Sequence, residues 1–347
     1  MKKRLTLIVP AYNMEAYLPT CLESVELPRE AMKFLEVVVV NDGSSDRTSQ
    51  IAHAFADKYP ESVRVIDKSN GHYGSCINAA LLIACGAFVK ILDADDTFAS
   101  QALVAFLSFL GELEKPLPDL VLSDYAIVDA TGRLTRREVL PFVSDRVFDL
   151  KTFLSGPDVV TMHAFTYRTG LLRETGYCQL EGSPYTDQEW TLLPLAHVRR
   201  VVRFPQVLYR YLLGRSGQTM APSELARGWA RRAEVAVDIA EKYASVSSVV
   251  PADCQTLLQW RLTMMIAEVY RGAIFDDPRG AAAYDLASFD RRLAERTPLF
   301  HELLARVPYS RRIPYRFVQA WRRPVWWRGI CHMFCRAYTF LVRLVCA

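Results

Sequence analysis

Four β-prone runs recur through the first hundred positions, and each stops at a polar or acidic turn. Leu5-Thr6-Leu7-Ile8-Val9 ends at Pro10-Ala11-Tyr12-Asn13, and Val37-Val38-Val39-Val40 ends at Asn41-Asp42-Gly43-Ser44-Ser45-Asp46. Val63-Arg64-Val65-Ile66 follows, then Phe88-Val89-Lys90-Ile91-Leu92, which runs into Asp93-Ala94-Asp95-Asp96. Near-continuous Val, Ile and Leu suits strands covered on both faces of a parallel sheet. Helical stretches are predicted between them, over 15–25, 47–59 and 75–84, with Ser45 or Asp46 as a cap for the second. Strands alternating with helices imply an α/β sheet built from right-handed crossovers, in which ligands bind beyond the carboxyl ends of strands. Tyr12, Asn13, Asp42, Gly43 and Asp93 all fall at such ends.

The fourth run is the most informative chemically, because it delivers Asp93, Asp95 and Asp96 to one edge of the sheet. Like charges held that close are unfavourable unless water, hydrogen bonds or a cation offset the repulsion. Hard divalent ions such as Mg²⁺ or Mn²⁺ take oxygen ligands, commonly one or two carboxylates plus substrate phosphates. A solvated acidic loop is the plain alternative, and the triplet by itself leaves it open.

Ile8-Val9-Pro10-Ala11-Tyr12-Asn13, then Val39-Val40-Asn41-Asp42-Gly43-Ser44-Ser45-Asp46-Arg47-Thr48, then Leu92-Asp93-Ala94-Asp95-Asp96 together resemble a family 2 glycosyltransferase. The likeness covers roughly residues 4–215, and the motifs are specific in combination rather than singly. It implies a GT-A-type, Rossmann-like mixed sheet flanked by helices, a nucleotide-diphosphate sugar as donor, and Mg²⁺ or Mn²⁺. By the same resemblance Pro10, Ala11 and Tyr12 line the base pocket, Asp42 accepts a hydrogen bond from the base, and Glu15 lies near the ribose. Asp93 is expected near the ribose or the metal, Asp95 as the direct ligand bridging to the diphosphate, and Asp96 as loop support. An Asx-turn is the ordinary role for Asp42, and a half-buried aromatic the ordinary role for Tyr12.

Asn70-Gly71-His72-Tyr73-Gly74-Ser75-Cys76-Ile77-Asn78 resembles the family's glycine-rich loop and helix, where glycines permit close backbone approach to a ligand. Asn78 matches the family on the donor side. Ile77 stands where many relatives carry Arg, so this helix is not expected to offer a cation to the diphosphate. Tyr185-Thr186-Asp187-Gln188-Glu189-Trp190 resembles the segment that carries the catalytic base, with Thr186 where Glu is usual. Asp187 is then the expected base, with Glu189 as fallback; an acidic first helical turn facing the macrodipole is the alternative. His163 is expected beside the acceptor or as a satisfied core histidine. Arg215 or Gln218 is expected over the donor phosphates, where a cation stabilises the leaving group. No processive Gln-x-x-Arg-Trp pattern occurs, which favours one sugar per acceptor.

With 347 residues and 51% hydrophobic content the chain has ample material for a large core and an extra subdomain. Residues 1–220 are read as the catalytic domain, with a nucleotide-sugar half over 1–110 and an acceptor half over 111–220. A C-terminal helical subdomain is predicted over 221–308, in pieces 224–243, 253–275 and 281–296 separated by Pro251 and Pro278. From 309 to 347 the chain is basic and aromatic without one acidic residue, although net charge overall is only +4. Arg322, Arg323, Arg328, Arg336 and Arg343 alternate there with Phe317, Trp321, Trp326, Trp327, Phe334 and Phe340, the pattern of a helix lying on an anionic membrane surface. A terminal helix docked on its own core is the alternative.

The basic start Lys2-Lys3-Arg4 is followed by an apolar run that Pro10 and Asn13 interrupt, so no signal peptide is expected and the location is read as cytoplasmic, peripheral on the membrane. The eight cysteines show no paired metal spacing and are expected as buried free thiols. The reading is an inverting, metal-dependent transferase that moves sugar from a UDP-sugar to a glycan or lipid-linked hydroxyl in cell-surface polysaccharide synthesis, with no nucleic-acid partner. A sugar-phosphate nucleotidyltransferase would need a Gly-rich, Arg/Lys-bearing amino-terminal signature that Pro10-Ala11-Tyr12-Asn13 does not offer. A non-catalytic nucleotide- or glycan-binding protein is the other competitor, and Ile77 and Thr186 are its support.

Overall fold

The computed structural model of the chain describes residues 2–144, 146–157, 160–215, 218, 228–276, 281–309 and 315–323. They fall into two compact units, Met1–Gln218 with Val249–Cys254, and Thr219–Ser248 with Gln255–Ala347. The first unit begins β1 (Leu5–Ala11), α1 (Leu18–Ser24), α2 (Arg29–Met32), β2 (Leu35–Asp42), α3 (Thr48–Lys58), β3 (Val63–Lys68), α4 (His72–Ile83) and β4 (Phe88–Ile91). β1 lies between β2 and β4 with all three parallel, and β3 extends the parallel set beyond β2. Leu7, Ile8, Val9 and the whole run Val37, Val38, Val39, Val40 have no exposed surface. Consecutive buried residues require cover on both faces, and α3 and α4 pack against these strands.

The chain then forms β5 (Thr97–Phe98), α5 (Ser100–Glu112), β6 (Leu120–Val128), β7 (Leu134–Glu138), β8 (Phe148–Asp149), α6 (Leu150–Leu154), β9 (Phe165–Arg168), α7 (Thr169–Glu174), α8 (Asp187–Leu192) and β10 (Arg200–Leu212). The sheet order is β3-β2-β1-β4-β9-β6-β10-β5, with β7 on β6 and β8 on β10. β9 runs antiparallel to both β4 and β6, while β10 runs parallel to β6, so the sheet is mixed. The expected α/β architecture is the one found. Because β5 pairs with the far side of β10, the chain leaving β4 must cross the ends of β9, β6 and β10 to form it. That crossing carries Asp93, Asp95 and Asp96 over the ends of three further strands.

The second unit is helical: α9 (Trp229–Val246), α10 (Ala252–Arg271) with its body from Gln255 onward, α11 (Ala281–Arg296), α12 (Pro298–Leu304) and α13 (Phe317–Trp321). The helix expected to run to residue 275 gives way at Gly272–Asp276 to a single wide turn. Helix-poor glycine at its first position suits that change of winding. Tyr270 sits against Phe289 and Tyr243 against Phe300 in this core. Phe317 and Val318, read in sequence with the interfacial tail, are fully buried here, and Arg322 Nη2 pairs with Asp290 at 2.7 Å. For 315–323 the docked-helix alternative is therefore the one the structure has; the remaining arginines and tryptophans of the tail lie outside the described residues. Among the described residues no helix is long and apolar enough to cross a membrane.

The thiol expectation needs correction. Cys21, Cys76 and Cys254 are buried and free, but Cys85 and Cys178 are exposed, because each falls in a connecting segment rather than an apolar face. Cys331, Cys335 and Cys346 lie outside the described residues.

Candidate active site

At the ends of β1 and β2 the two loops bond to each other through side chains that serve backbone amides. Asn13 takes a left-handed backbone, φ 54°, and its Oδ1 accepts from the Ser45 amide at 2.9 Å. In return Ser44 Oγ accepts from the Asn13 amide at 3.0 Å, and Thr48 Oγ1 from the Met14 amide at 2.7 Å. Asp46 accepts from the Glu15 amide with one oxygen and from the Thr48 amide at the start of α3 with the other. Glu15 Oε2 accepts from the Arg47 amide at 3.0 Å. Polar turn residues here replace the water that exposed loop amides would otherwise need. Tyr12 stands on this braced loop with 51% of its surface exposed, beside partly buried Pro10 and buried Ala11.

Asp42, at the end of β2, is buried, and its Oδ1 accepts from Lys68 Nζ at 2.7 Å and from the Gly71 amide at 2.9 Å. Lys68 was not singled out in sequence, where a lone lysine ending a strand carries no signal. The glycine-rich loop serves the protein's own chain. A Cβ at Gly74 would stand 1.8 Å from the Leu180 carbonyl oxygen, so only glycine lets that segment approach α4. Asn78 completes the junction: its Nδ2 donates to the Gln179 carbonyl and Glu181 Oε1, and its Oδ1 accepts from the Gln179 amide. Ile77 is fully buried in the same helix.

The acidic tip is tightly organised. Asp93 Oδ1 accepts from Tyr73 Oη at 2.8 Å, and the Asp93 amide donates to Tyr209 Oη at 3.1 Å. Tyr209 Oη donates in turn to Asp96 Oδ2 at 2.6 Å, and the Leu212 amide donates to Asp96 Oδ1 at 2.7 Å. Asp95 pairs with Arg215, whose guanidinium also lies 5.1 Å from the Tyr17 ring centre. Burial, followed by the charge of Asp95, pushes the Asp93 carboxyl up, and burial with Asp93 and Asp95 pushes Asp96 up as well. Asp187, exposed at the first position of α8, adds its own charge to the field on Asp93. Glu189 is instead fully buried and accepts from the Leu180 amide at 2.8 Å. Thr186 is buried with its hydroxyl taken by Gln179 Nε2 at 3.0 Å.

His163 lies under the tip, 4.0 Å from Asp96 Oδ2, in an aromatic nest of Tyr125, Tyr209 and Tyr211. Burial and the nearby Lys90 charge push its imidazole down to about 3, so it is neutral at ordinary pH. Lys90 is fully buried, donates to the carbonyls of His163 and Phe165, and is pushed down to about 7 by burial. Sequence reading did not single out Tyr73, Lys90 or Tyr209, since no local pattern marks any of the three as facing the acidic tip.

A cation fits this corner. Asp93, Asp96 and His163 each bring a donor atom within 4.8 Å of the others, and repulsion among the carboxylates is what a divalent ion would relieve. Asp95 is held by Arg215 and stands outside that converging set.

The chain matches the family described as Glycosyl transferase family 2 over residues 6–171. The uncharacterized glycosyltransferase YibD of Escherichia coli is 36% identical over 221 residues, 60% of this chain and 61% of its own. The poly(ribitol-phosphate) beta-N-acetylglucosaminyltransferase TarS of Staphylococcus aureus is 28% identical over 222 residues, 63% of this chain and 37% of its own. The uncharacterized glycosyltransferase MG025 homolog of Mycoplasma pneumoniae is 31% identical over 155 residues, 44% of this chain and 49% of its own. The chain thus spans less than two thirds of the length of each of these relatives. The crystal structure of TarS 1-349 from S. aureus in complex with UDP-GlcNAc shares the fold, with a TM-score of 0.52 at 22% identity over 77% of this chain and 81% of that one. Motifs, sheet order and family match agree that residues 6–171 form a glycosyltransferase family 2 region, and the first unit has the GT-A fold.

Proposed function

We propose that this chain transfers one sugar from a nucleotide-diphosphate sugar, a UDP-sugar, to a hydroxyl of a glycan or lipid-linked acceptor, with inversion, in the building of cell-surface polysaccharide. One observation carries the reading: Asp93 and Asp96 converge with His163 at the strand tip, Asp95 beside them draws in Arg215 as counter-charge, and the charge of Asp187, almost a hundred residues on, reaches Asp93. A purely structural loop has no need of so many carboxylates in one buried corner.

Tyr12 stacks on the base at the braced end of β1, and Asp42 and Glu15 flank it. Asp187 takes the proton of the acceptor hydroxyl as that oxygen attacks the anomeric carbon from the face opposite the diphosphate. Its exposure and its place in the field of Asp93 favour it over Glu189, whose carboxylate is committed to the Leu180 amide. A bound Mg²⁺ or Mn²⁺ supplies positive charge to the leaving diphosphate. Asp93, common to the converging set, and Asp95, once Arg215 leaves it, are the proposed holders, with Asp96, whose two oxygens already receive donors, and His163 behind them. Arg215 then passes from Asp95 to the phosphates, adding a second cation where charge develops. Association with an anionic membrane surface through 309–347 stays part of the proposal for residues beyond 323.

Release of UDP from UDP-sugars, followed with and without Mn²⁺ and a chelator, tests the reading. Turnover that needs the metal and is lost in Asp95→Ala supports a catalyst. Metal-independent binding of nucleotide with no turnover, in every sugar tried, would favour the non-catalytic binder.

A further inference from the structure

Tyr211 is half-exposed and lies one residue pair beyond Tyr209 on the same face of β10. Tyr209 is fully buried and bonds the acidic tip directly. Tyr211 therefore continues the line of the tip outward, toward the mouth of the site. Its ring stacks on His163 at 4.2 Å between centres and 27° between planes. His163 is fixed from behind by Tyr209 at 4.6 Å and Tyr125 at 5.5 Å, and by Thr161 Oγ1 at 2.9 Å on Nδ1. Of these four rings only Tyr211 reaches solvent beyond a few per cent. Asp96, Asp93, Asp95 and Asp187 all lie close enough for their charges to bear on its phenol. Beside it on β6 stands Ile127, and across on β7 Arg136, so an aromatic, an aliphatic and a polar side chain share one row of the sheet.

A rigid aromatic ring, backed by a buried stack and within reach of the charge of Asp187, has the form of a saccharide platform. The C–H face of a pyranose lies flat on such a ring, leaving its hydroxyls at the edge to meet carboxylates. We infer that Tyr211 is the specificity-determining residue of the acceptor subsite, seating the apolar face of an acceptor pyranose so that one hydroxyl is turned toward Asp187. This deepens the transferase reading and rests on it for the role of Asp187, while the seating of a sugar ring on Tyr211 is independent of the donor. It commits to a ring: an acyclic polyol has no flat C–H face to offer.

Saturation-transfer NMR on the full chain, with methyl β-D-glucopyranoside against glucitol, tests the platform. Irradiation of aromatic protons should pass most strongly to the axial C–H protons of one pyranoside face. Tyr211→Phe keeps the signal, while Tyr211→Ala, checked for folding by its circular dichroism, weakens pyranoside binding about tenfold, the scale expected for loss of a stacked ring. Uniform transfer over the sugar in wild-type protein, glucitol binding as well as the pyranoside, unaltered binding in Tyr211→Ala, or no transfer in wild-type protein would each overturn the proposal. A parallel melt of wild-type protein with UDP and Mn²⁺ separates the two ideas. No response there strikes the donor reading alone, and the pyranoside signal still decides Tyr211.

Discussion

The two flanks of the acidic tip are held by different physics. On the β1–β2–β3 side, side chains of one loop bond backbone amides of the next, from Asn13 with Ser44 and Ser45 to Glu15 with Arg47. On the β9–β6–β10 side, order comes from buried rings and buried carboxylates: Tyr209 on Asp96, His163 among three tyrosines, Glu189 on the Leu180 amide. The first kind of order tolerates solvent and leaves Tyr12 standing clear. The second excludes solvent, raises the carboxyls it encloses, and leaves Asp187 exposed and Tyr211 half-buried at its margin. On the proposed reading, the nucleotide seat is built by stitching loops, whereas the reacting corner is built by desolvation.

The largest effects should come from the desolvated flank. Replacing Asp187 by Asn keeps shape and removes a proton acceptor, so transfer should fall by about 10²–10⁴-fold with nucleotide binding retained. Steady-state rates beside nucleotide titrations check this; a transfer rate within a few-fold of wild type would move the base elsewhere. Glu189→Gln tests the opposite idea, that burial there is structural. The neutral amide loses charge-assisted acceptance from the Leu180 amide, so a fall in stability of about 1–3 kcal/mol is expected in denaturant melts, with a smaller effect on rate than Asp187→Asn. A stable, inactive Glu189→Gln protein would reverse the two roles.

How much was legible follows the same division. The first four strands and three helices could be placed from apolar runs and turn residues because each is a local pattern. Residues such as Asn13 and Asp46 announce themselves through turn chemistry. The other flank assembles Tyr73, Lys90, Asp187, Tyr209 and Tyr211 from widely separated positions, and no short-range period links them. Lys90 is instructive: nothing in Phe88-Val89-Lys90-Ile91 says what a lysine in a covered strand would pair with, and it is buried against the carbonyls of His163 and Phe165. Only the pairing of β4 with β9 explains it. Gly74 was legible as a close-approach glycine, but what approaches is the Leu180 carbonyl. In the second unit the first helix ends at Val246, three residues beyond the expected 243, because amphipathic periodicity does not define a boundary, and its expected start at 224 lies outside the described residues.

The stitched flank should answer to smaller, distributed losses. Asn13→Ala removes the acceptor for the Ser45 amide and places a Cβ-only side chain at positive φ, which asparagine tolerates better. A stability loss of about 1–2 kcal/mol is expected, together with weaker nucleotide binding as Tyr12 loses its brace. If affinity for nucleotide is unchanged while the protein melts earlier, the stitching is structural only.

Asp67, at the end of β3, gives the finest test. His53, Ser49 and Asn41 all bond its charged carboxylate, His53 foremost, and hold it down to about 2 against an ordinary value of 3.8. Because the folded chain favours the charged form, the stability this gives is complete above 3.8 and fades as pH falls through about 2. The side chain is 45% exposed, so solvent screening limits the contribution to below about 1 kcal/mol. Asp67→Asn should therefore melt slightly below wild type at pH 6, and the gap should close as pH falls from about 4 toward 2. A gap that stays constant across that range would mean the residue acts through shape and not through charge, and would place this strand end with the desolvated flank instead.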